Sequence, residues 1–172
     1  MENKTINLIK SRVSCRSYDE RKISTAKALQ VAEAGKFAPS GMNRQIINIY
    51  LVNSKRFVEK LRKLSLDLLN RDCLYGAKTV LLVAGPRDDR FTDLDGACAL
   101  ENMFLAAHAI KIQSCWVNQF DELLSSKEGL KIKKALGIPE DRRIVGSCIL
   151  GYAKDPSSLK SKERKEDFIK IL

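Results

Sequence analysis

The chain has 172 residues, enough for one domain with a sizeable core, and its 44% apolar and 30% charged composition is that of a folded globular protein. The formal charge of +10 favours anions such as nucleic acid, phosphorylated cofactors or pyridine nucleotides, while no apolar run reaches the ~20 residues of a bilayer span. A single histidine, His108, excludes a multi-histidine metal site, and five scattered cysteines without a CxxC argue against a disulfide framework or zinc site, leaving reduced, mostly buried thiols.

The opening MENKTINLIKSR has neither the apolar region nor the cleavage signal of a secretory leader, so the cytosol is the expected location. Ile6, Ile9 and Val13 recur at helical spacing and predict a first short helix over 4–13. Ser24 suits the cap of a second helix, with Leu29, Ala32 and Phe37 among its apolar positions. That helix must stop before Pro39, which makes PSGMN a turn. IINIYLVN, 46–53, is apolar on both faces and rich in β-branched residues, the pattern of an interior strand.

Ser54 opens a third helix with Phe57, Leu61, Leu64 and Leu68 on one face. TVLLVAG, 79–85, reads as a buried strand stopped by Gly85-Pro86. Residues 94–112 form an alanine-rich helix that is apolar almost all round, so it is buried on most sides, within the protein or at a subunit interface. SCWVN is a strand, a helix containing Leu130 to Leu136 ends at GIPED, and RIVGSCILGYA is a last central strand. The charged tail closes on DFIKIL, which alternates like a short strand. Helices and strands interleave without a linker or repeat, so residues 1–172 make one domain.

Two stretches carry the chemistry. In SRVSCRSYDE, Arg12 and Arg16 stand around Ser14 and Ser17. Guanidinium forks and hydroxyls match phosphate oxygens, although a solvated helix end with a capping serine has the same composition. In APSGMNRQ, Ser40, Asn43, Arg44 and Gln45 offer donors and acceptors together, suiting an isoalloxazine or a nucleobase, or simply a polar turn. Asp95, Glu101 and His108 on the buried helix can be read as an acid–base group or as hydrogen-bonded core and interface residues. The basic stretches KRFVEKLRKL and LKSKERK are interrupted by acids or apolar residues, unlike a nucleic-acid-binding block.

SRVSCRSYDERKIS, APSGMNRQ, DLDGACALENMFLAAHAIKIQSCWV and LGIPEDRRIVGSCILGYAKDP, in this order, resemble the successive motifs of the nitroreductase family of FMN-dependent oxidoreductases, from about residue 5 to the end. The resemblance implies an α+β fold with a mixed central sheet flanked by helices, and a homodimer with exchanged carboxy-terminal tails and FMN at its interface. It implies that Arg12, Ser14 and Arg16 hold the FMN phosphate and ribityl oxygens. Pro39, Ser40 and Asn43 would line the flavin, Gln45 would touch the ring or ribityl chain, and backbone around Val117 and Asn118 would approach the ring. Arg164 matches a late phosphate-binding basic residue, with Lys162 beside it.

The chain departs from the pattern at several places. Val13 stands where the family often has a basic residue, RQII replaces the common Q-P-W run, and AIKIQ lacks the usual glycines. Only PRDDRFTD joins the second strand to the long helix, where larger members carry a helical excursion that helps cover the substrate, so a more open site is expected. The activity implied is a ping-pong transfer from NAD(P)H, through FMN, to a nitroaromatic, quinone or similar acceptor. A non-enzymatic FMN-binding protein and a specialised flavin-dependent dehydrogenase are the alternatives.

Overall fold

The computed structural model of the chain describes residues 3–161 and 163–171. Six helices and four strands follow one another as α1 (Lys4–Ser11), α2 (Thr25–Lys36), β1 (Asn48–Val52), α3 (Lys55–Leu69), β2 (Thr79–Pro86), α4 (Thr92–Ala109), β3 (Gln113–Val117), α5 (Phe120–Ser125), α6 (Lys127–Ala135) and β4 (Arg142–Gly151). The sheet order is β1-β2-β4-β3 and all three ladders are antiparallel. Among the described residues, the mixed character expected of it is confined to one isolated parallel bridge, Ser14 to Ser114.

The sheet divides the core into two layers. On β2, Val80, Leu82 and Ala84 face α3, α5 and α6, whereas Leu81 and Val83 face α2 and α4. The period of two in side-chain direction explains this split, and helices on both faces explain why the strand is apolar throughout. On β4 the phase slips at a bulge opposite Val83/Ala84. Two glycines let neighbouring elements approach there: a Cβ on Gly96 of α4 would lie 2.7 Å from the Val145 methyls, and one on Gly146 would lie 2.8 Å from Trp116 Nε1.

Capping follows the sequence. Ser24 Oγ accepts from the Lys27 N–H and Ser54 Oγ from the Phe57 N–H, each at 3.3 Å. Such caps contribute about 1 kcal/mol.

Several expectations are corrected. β1 is an edge strand, not an interior one; it is apolar on both faces because helices cover both, and its outer edge pairs with no described strand. The buried face of α2 is Ala28, Val31 and Gly35, while Leu29 and Phe37 are exposed. Leu68 likewise points outward. α5 was not legible, since six residues are too few to establish a period. DFIKIL contains no described strand: Glu166–Phe168 is a single 3-10 turn and Phe168 is 84% exposed. Four of the five thiols are buried and Cys98 is exposed.

Candidate functional site

The first group of candidate residues leaves the end of α1 and runs beside β3. The Cys15 N–H donates to the Ser114 carbonyl at 2.9 Å, which fixes residues 14–16 along the strand's open edge. A hollow of about 260 Å³ opens there, lined by Ser14, Cys15, Arg16, Ser17, Ser158 and Leu159. Arg16 is exposed and has no carboxylate partner among the described residues, whereas Arg12 is half-buried and stands 4.0 Å from Glu101. A free guanidinium over a hollow with serine hydroxyls fits a phosphate. Val13 is half-buried and offers no polar side chain to it.

Burial pushes the Cys15 and Cys115 thiols above their ordinary value, with the Arg16 charge opposing the rise at Cys115. Neither is therefore poised as a nucleophile at neutral pH.

The second group stands on the amino-terminal end of α4. Asp95 is buried and accepts from the Ser40 hydroxyl at 3.0 Å and from the Gly41 N–H at 2.9 Å. Ser40 Oγ in turn accepts from the Gln45 N–H at 2.8 Å. The turn is tight enough that Met42, Asn43 and Gln45 all take left-handed backbone conformations, with φ of 56°, 53° and 51°. Three such non-glycine residues in four positions are a concentration of strain typical of ligand-contacting loops. Gly41 has no space for a Cβ, which would fall 2.6 Å from the Phe91 ring. Arg44 is spent on Asp89, its Nη2 donating to both carboxylate oxygens at 2.7 and 2.8 Å. Beside the turn, Pro39, Ser40, Gln45, Asp95 and Ala99 help line a cleft of about 610 Å³ between α2, β1 and α4. Asn43 is exposed, and its Oδ1 accepts from Gln45 Nε2 at 3.1 Å.

At the end of β3, the Val117 side chain is in the core and its carbonyl accepts from the Ser147 hydroxyl. Asn118 is exposed and bonds to Trp116 Nε1 at 3.4 Å. Ser114 turns its carbonyl away from β4 to Cys15, so by alternation the backbone of Trp116 faces the same open edge. Arg164 is exposed in the tail; Lys162 lies outside the described residues. Nothing in the sequence marks Ser158, in a plain PSS segment, or Asp95, an acid–base candidate on α4, as a binding group.

That acid–base reading is not supported by the geometry. Asp95 and His108 lie about 20 Å apart along the helix at 1.5 Å per residue. Glu101 faces Arg12, and His108 Nε2 shares a 2.9 Å hydrogen bond with Ser11 Oγ. Burial first, then the Arg12 charge, lowers the His108 pKa and keeps the ring neutral.

The structure therefore assembles two groups, residues 12–16 by the carboxy-terminal half of α4 and residues 39–45 at its amino-terminal end, and does not join them within one chain.

The nitroreductase family model matches residues 9–72 and 62–152. A relative from Archaeoglobus fulgidus, named NADH dehydrogenase/NAD(P)H nitroreductase, is 30% identical over 156 residues, which cover 87% of this chain and 86% of the relative. The crystal structure of a Bacteroides fragilis nitroreductase with bound FMN superposes with a TM-score of 0.91 at 31% identity, covering 99% of this chain and all of that one. A Desulfitobacterium hafniense nitroreductase with bound FMN shares the fold with a TM-score of 0.90 at 24% identity, covering both chains completely. With the family's motifs in place along one continuous fold, the chain belongs to the nitroreductase family.

Proposed function

We propose that the protein is an FMN-dependent oxidoreductase that takes electrons from NAD(P)H and passes them to an electron-poor acceptor in a ping-pong cycle, working as a homodimer with exchanged tails. The observation that carries this reading is the pair of half-sites: an anion hollow beneath Arg16 and a strained amide-and-hydroxyl turn beside a cleft of flavin-compatible size. The Bacteroides fragilis relative is described with bound FMN, a ligand whose phosphate and ring call for the kinds of donor that these two half-sites offer. Arg16, Ser14 and Arg12 would hold its phosphate, the Ser40 turn and Asn43 its ring, and Arg164 would approach from the tail. When bound, FMN supplies the hydride chemistry.

This chain's own residues bind and orient. Asp95 holds the turn by two hydrogen bonds, and the left-handed run presents the Asn43 amide outward. The exposed, apolar Phe168, Ile169 and Ile171 support a tail that leaves its own subunit, because such residues gain most from covering a partner's free sheet edge. The excess positive charge favours approach of an anionic dinucleotide.

Purification followed by spectroscopy tests the reading. A yellow protein whose flavin bleaches anaerobically on adding NADH or NADPH, and recovers with a quinone, is the expected result. A flavin that neither reduced nucleotide bleaches would leave a binding protein, and a colourless protein that takes up no FMN would end the proposal.

A further inference from the structure

The hollow beneath Arg16 has a thiol in its wall. Cys15 lines it beside Ser14 and Arg16, although the residue is otherwise buried. The isolated parallel bridge between Ser14 and Ser114 puts the residues that follow, Cys15 and Cys115, in register on neighbouring backbones. In-register Cα atoms on adjacent strands lie roughly 4.7–4.9 Å apart, inside the roughly 4.4–6.8 Å that a disulfide spans. Both side chains turn into the same core layer, because both stand one step past the bridge and side chains alternate along an extended chain. The two sulfurs are close enough that a charge on Cys15 opposes one on Cys115.

The other cysteines are placed elsewhere. Cys148 on β4 pairs in the ladder with Trp116, not with Cys115, so it points into the opposite layer. Cys73 sits in the corner after α3, where its N–H donates to Ser65 Oγ. Cys98 is exposed on α4. Each thiol of the matched pair now ends on a carbonyl: Cys15 Sγ donates to Ser17 at 3.2 Å and Cys115 Sγ to Trp116 at 3.4 Å. The Tyr18 hydroxyl is buried beside the Cys15 sulfur and finds no hydrogen bond of good geometry among the described residues. An orphaned donor of this kind costs free energy until an acceptor appears. Negative charge on the Cys15 sulfur would be that acceptor.

We propose that Cys15 and Cys115 are a redox pair whose disulfide staples the empty anion clamp to β3. Hydrogen peroxide, small enough to enter the hollow, is the oxidant. The Cys15 sulfur attacks one peroxide oxygen, the O–O bond breaks, and a sulfenic acid and water result. The Cys115 sulfur then displaces the hydroxyl from Cys15 as a second water, and the S–S bond closes. Two thiols are oxidised, one peroxide is reduced, and both thiol protons leave in the waters. Tyr18 donates to the Cys15 sulfur while that sulfur carries charge. Burial keeps both thiols protonated, so the pair rests reduced and responds to excess oxidant. An isolated bridge, unlike a continuous ladder, leaves residues 14–16 free to make the small approach that closure needs. The hollow is also the place assigned above to the FMN phosphate, so bound cofactor shields Cys15; this clause alone rests on the functional reading.

Peptide mapping reads the pair directly. Tryptic peptides 13–16 and 112–127 hold Cys15 and Cys115 and no other cysteine. After peroxide treatment of the full-length apoprotein, mass spectrometry without reductant should find these peptides joined, lighter by the two thiol hydrogens, and dithiothreitol should separate them. The oxidised protein should also melt several degrees higher, because closing so long a loop removes unfolded-state entropy. Cys115→Ser should show neither change, and Cys98→Ser should show both. Tyr18→Phe should slow the joining about two- to tenfold. Cys15 recovered as a free thiol while Cys98 is oxidised, Cys15 recovered as a sulfonic acid without a link, or Cys15 joined to another cysteine overturns the pair; joining at an unchanged rate in Tyr18→Phe removes the phenol from it. Saturating FMN should suppress the joining. Joined peptides that FMN does not protect sink only the placement of its phosphate in the hollow, and FMN binding without joined peptides in the apoprotein sinks only the thiol pair.

Discussion

The Ser40 hydroxyl donates to Oδ2 of Asp95 at 3.0 Å across 55 positions of sequence, and this contact seats the candidate flavin turn on the first turns of α4. The second carboxylate oxygen takes the Gly41 N–H, so one buried charge satisfies two donors of a strained loop. Asp95→Asn keeps the volume and one acceptor but loses the charge. We expect a stability loss of ~1–3 kcal/mol by urea unfolding, together with weaker FMN binding, because charge-assisted hydrogen bonds are the stronger kind. Unchanged unfolding and an unchanged flavin spectrum would show that the turn holds itself.

The left-handed run makes opposite forecasts for neighbouring positions. Met42 is exposed at φ 56°, so Met42→Gly relieves a backbone cost of ~1–2 kcal/mol while raising unfolded-state entropy. A net gain of up to about 1 kcal/mol is expected, readable as a rise in Tm. Asn43→Leu should lose ~1 kcal/mol from the backbone alone, since asparagine tolerates this region and leucine does not. Asn43→Gly therefore serves as the control that isolates the amide: both variants should shift the flavin absorption envelope, but only the leucine variant should lose stability.

Arg16 has no acidic partner to release among the described residues, so its charge is available to a ligand. Arg16→Ala should weaken FMN binding about ten- to a hundredfold, from roughly 1.5–3 kcal/mol of charge-assisted bonding. Fluorescence titration of the apoprotein measures it, and equal affinity would remove Arg16 from the site.

Alkaline pH should unfold the protein earlier than an uncharged core would predict. Burial raises the thiols of Cys15, Cys115 and Cys148 and, helped by those thiols, the Tyr18 phenol. Each is held neutral in the folded chain and ionises more readily once unfolded. Their contribution is complete below the ordinary thiol pKa of about 8.5 and is lost as pH rises through the folded values. The Tm should fall steadily above about pH 8.5, and more gently in Cys148→Ala; parallel curves for the two proteins would contradict this.

Removal of residues 167–172 tests the exchanged tails. The truncated chain should dissociate at higher concentration and carry less FMN, because Arg164 and the apolar end travel together. A variant that stays dimeric and fully yellow would mean that the tail serves neither purpose.

Local physics made much of this protein legible from its residues. Ser24 and Ser54 cap the helices they predict, Pro39 ends α2 in time, and the apolar run 79–85 is the buried strand β2. Each depends on neighbours within a few positions, where backbone sterics and side-chain period act directly. The same locality explains the candidate residues: arginine with serine, and amides with a turn, are recognisable because their chemistry resides in the side chains themselves. What escaped was decided by contacts distant in sequence. β1 looks interior because helices cover both its faces, and its edge position depends on strand order. Asp95 becomes the anchor of the turn only when α4 reaches residues 40 and 41. The division of the site between the two ends of α4 belongs to the tertiary structure alone, because a helix of 18 residues spaces its contacts by rise and angle that no local pattern records.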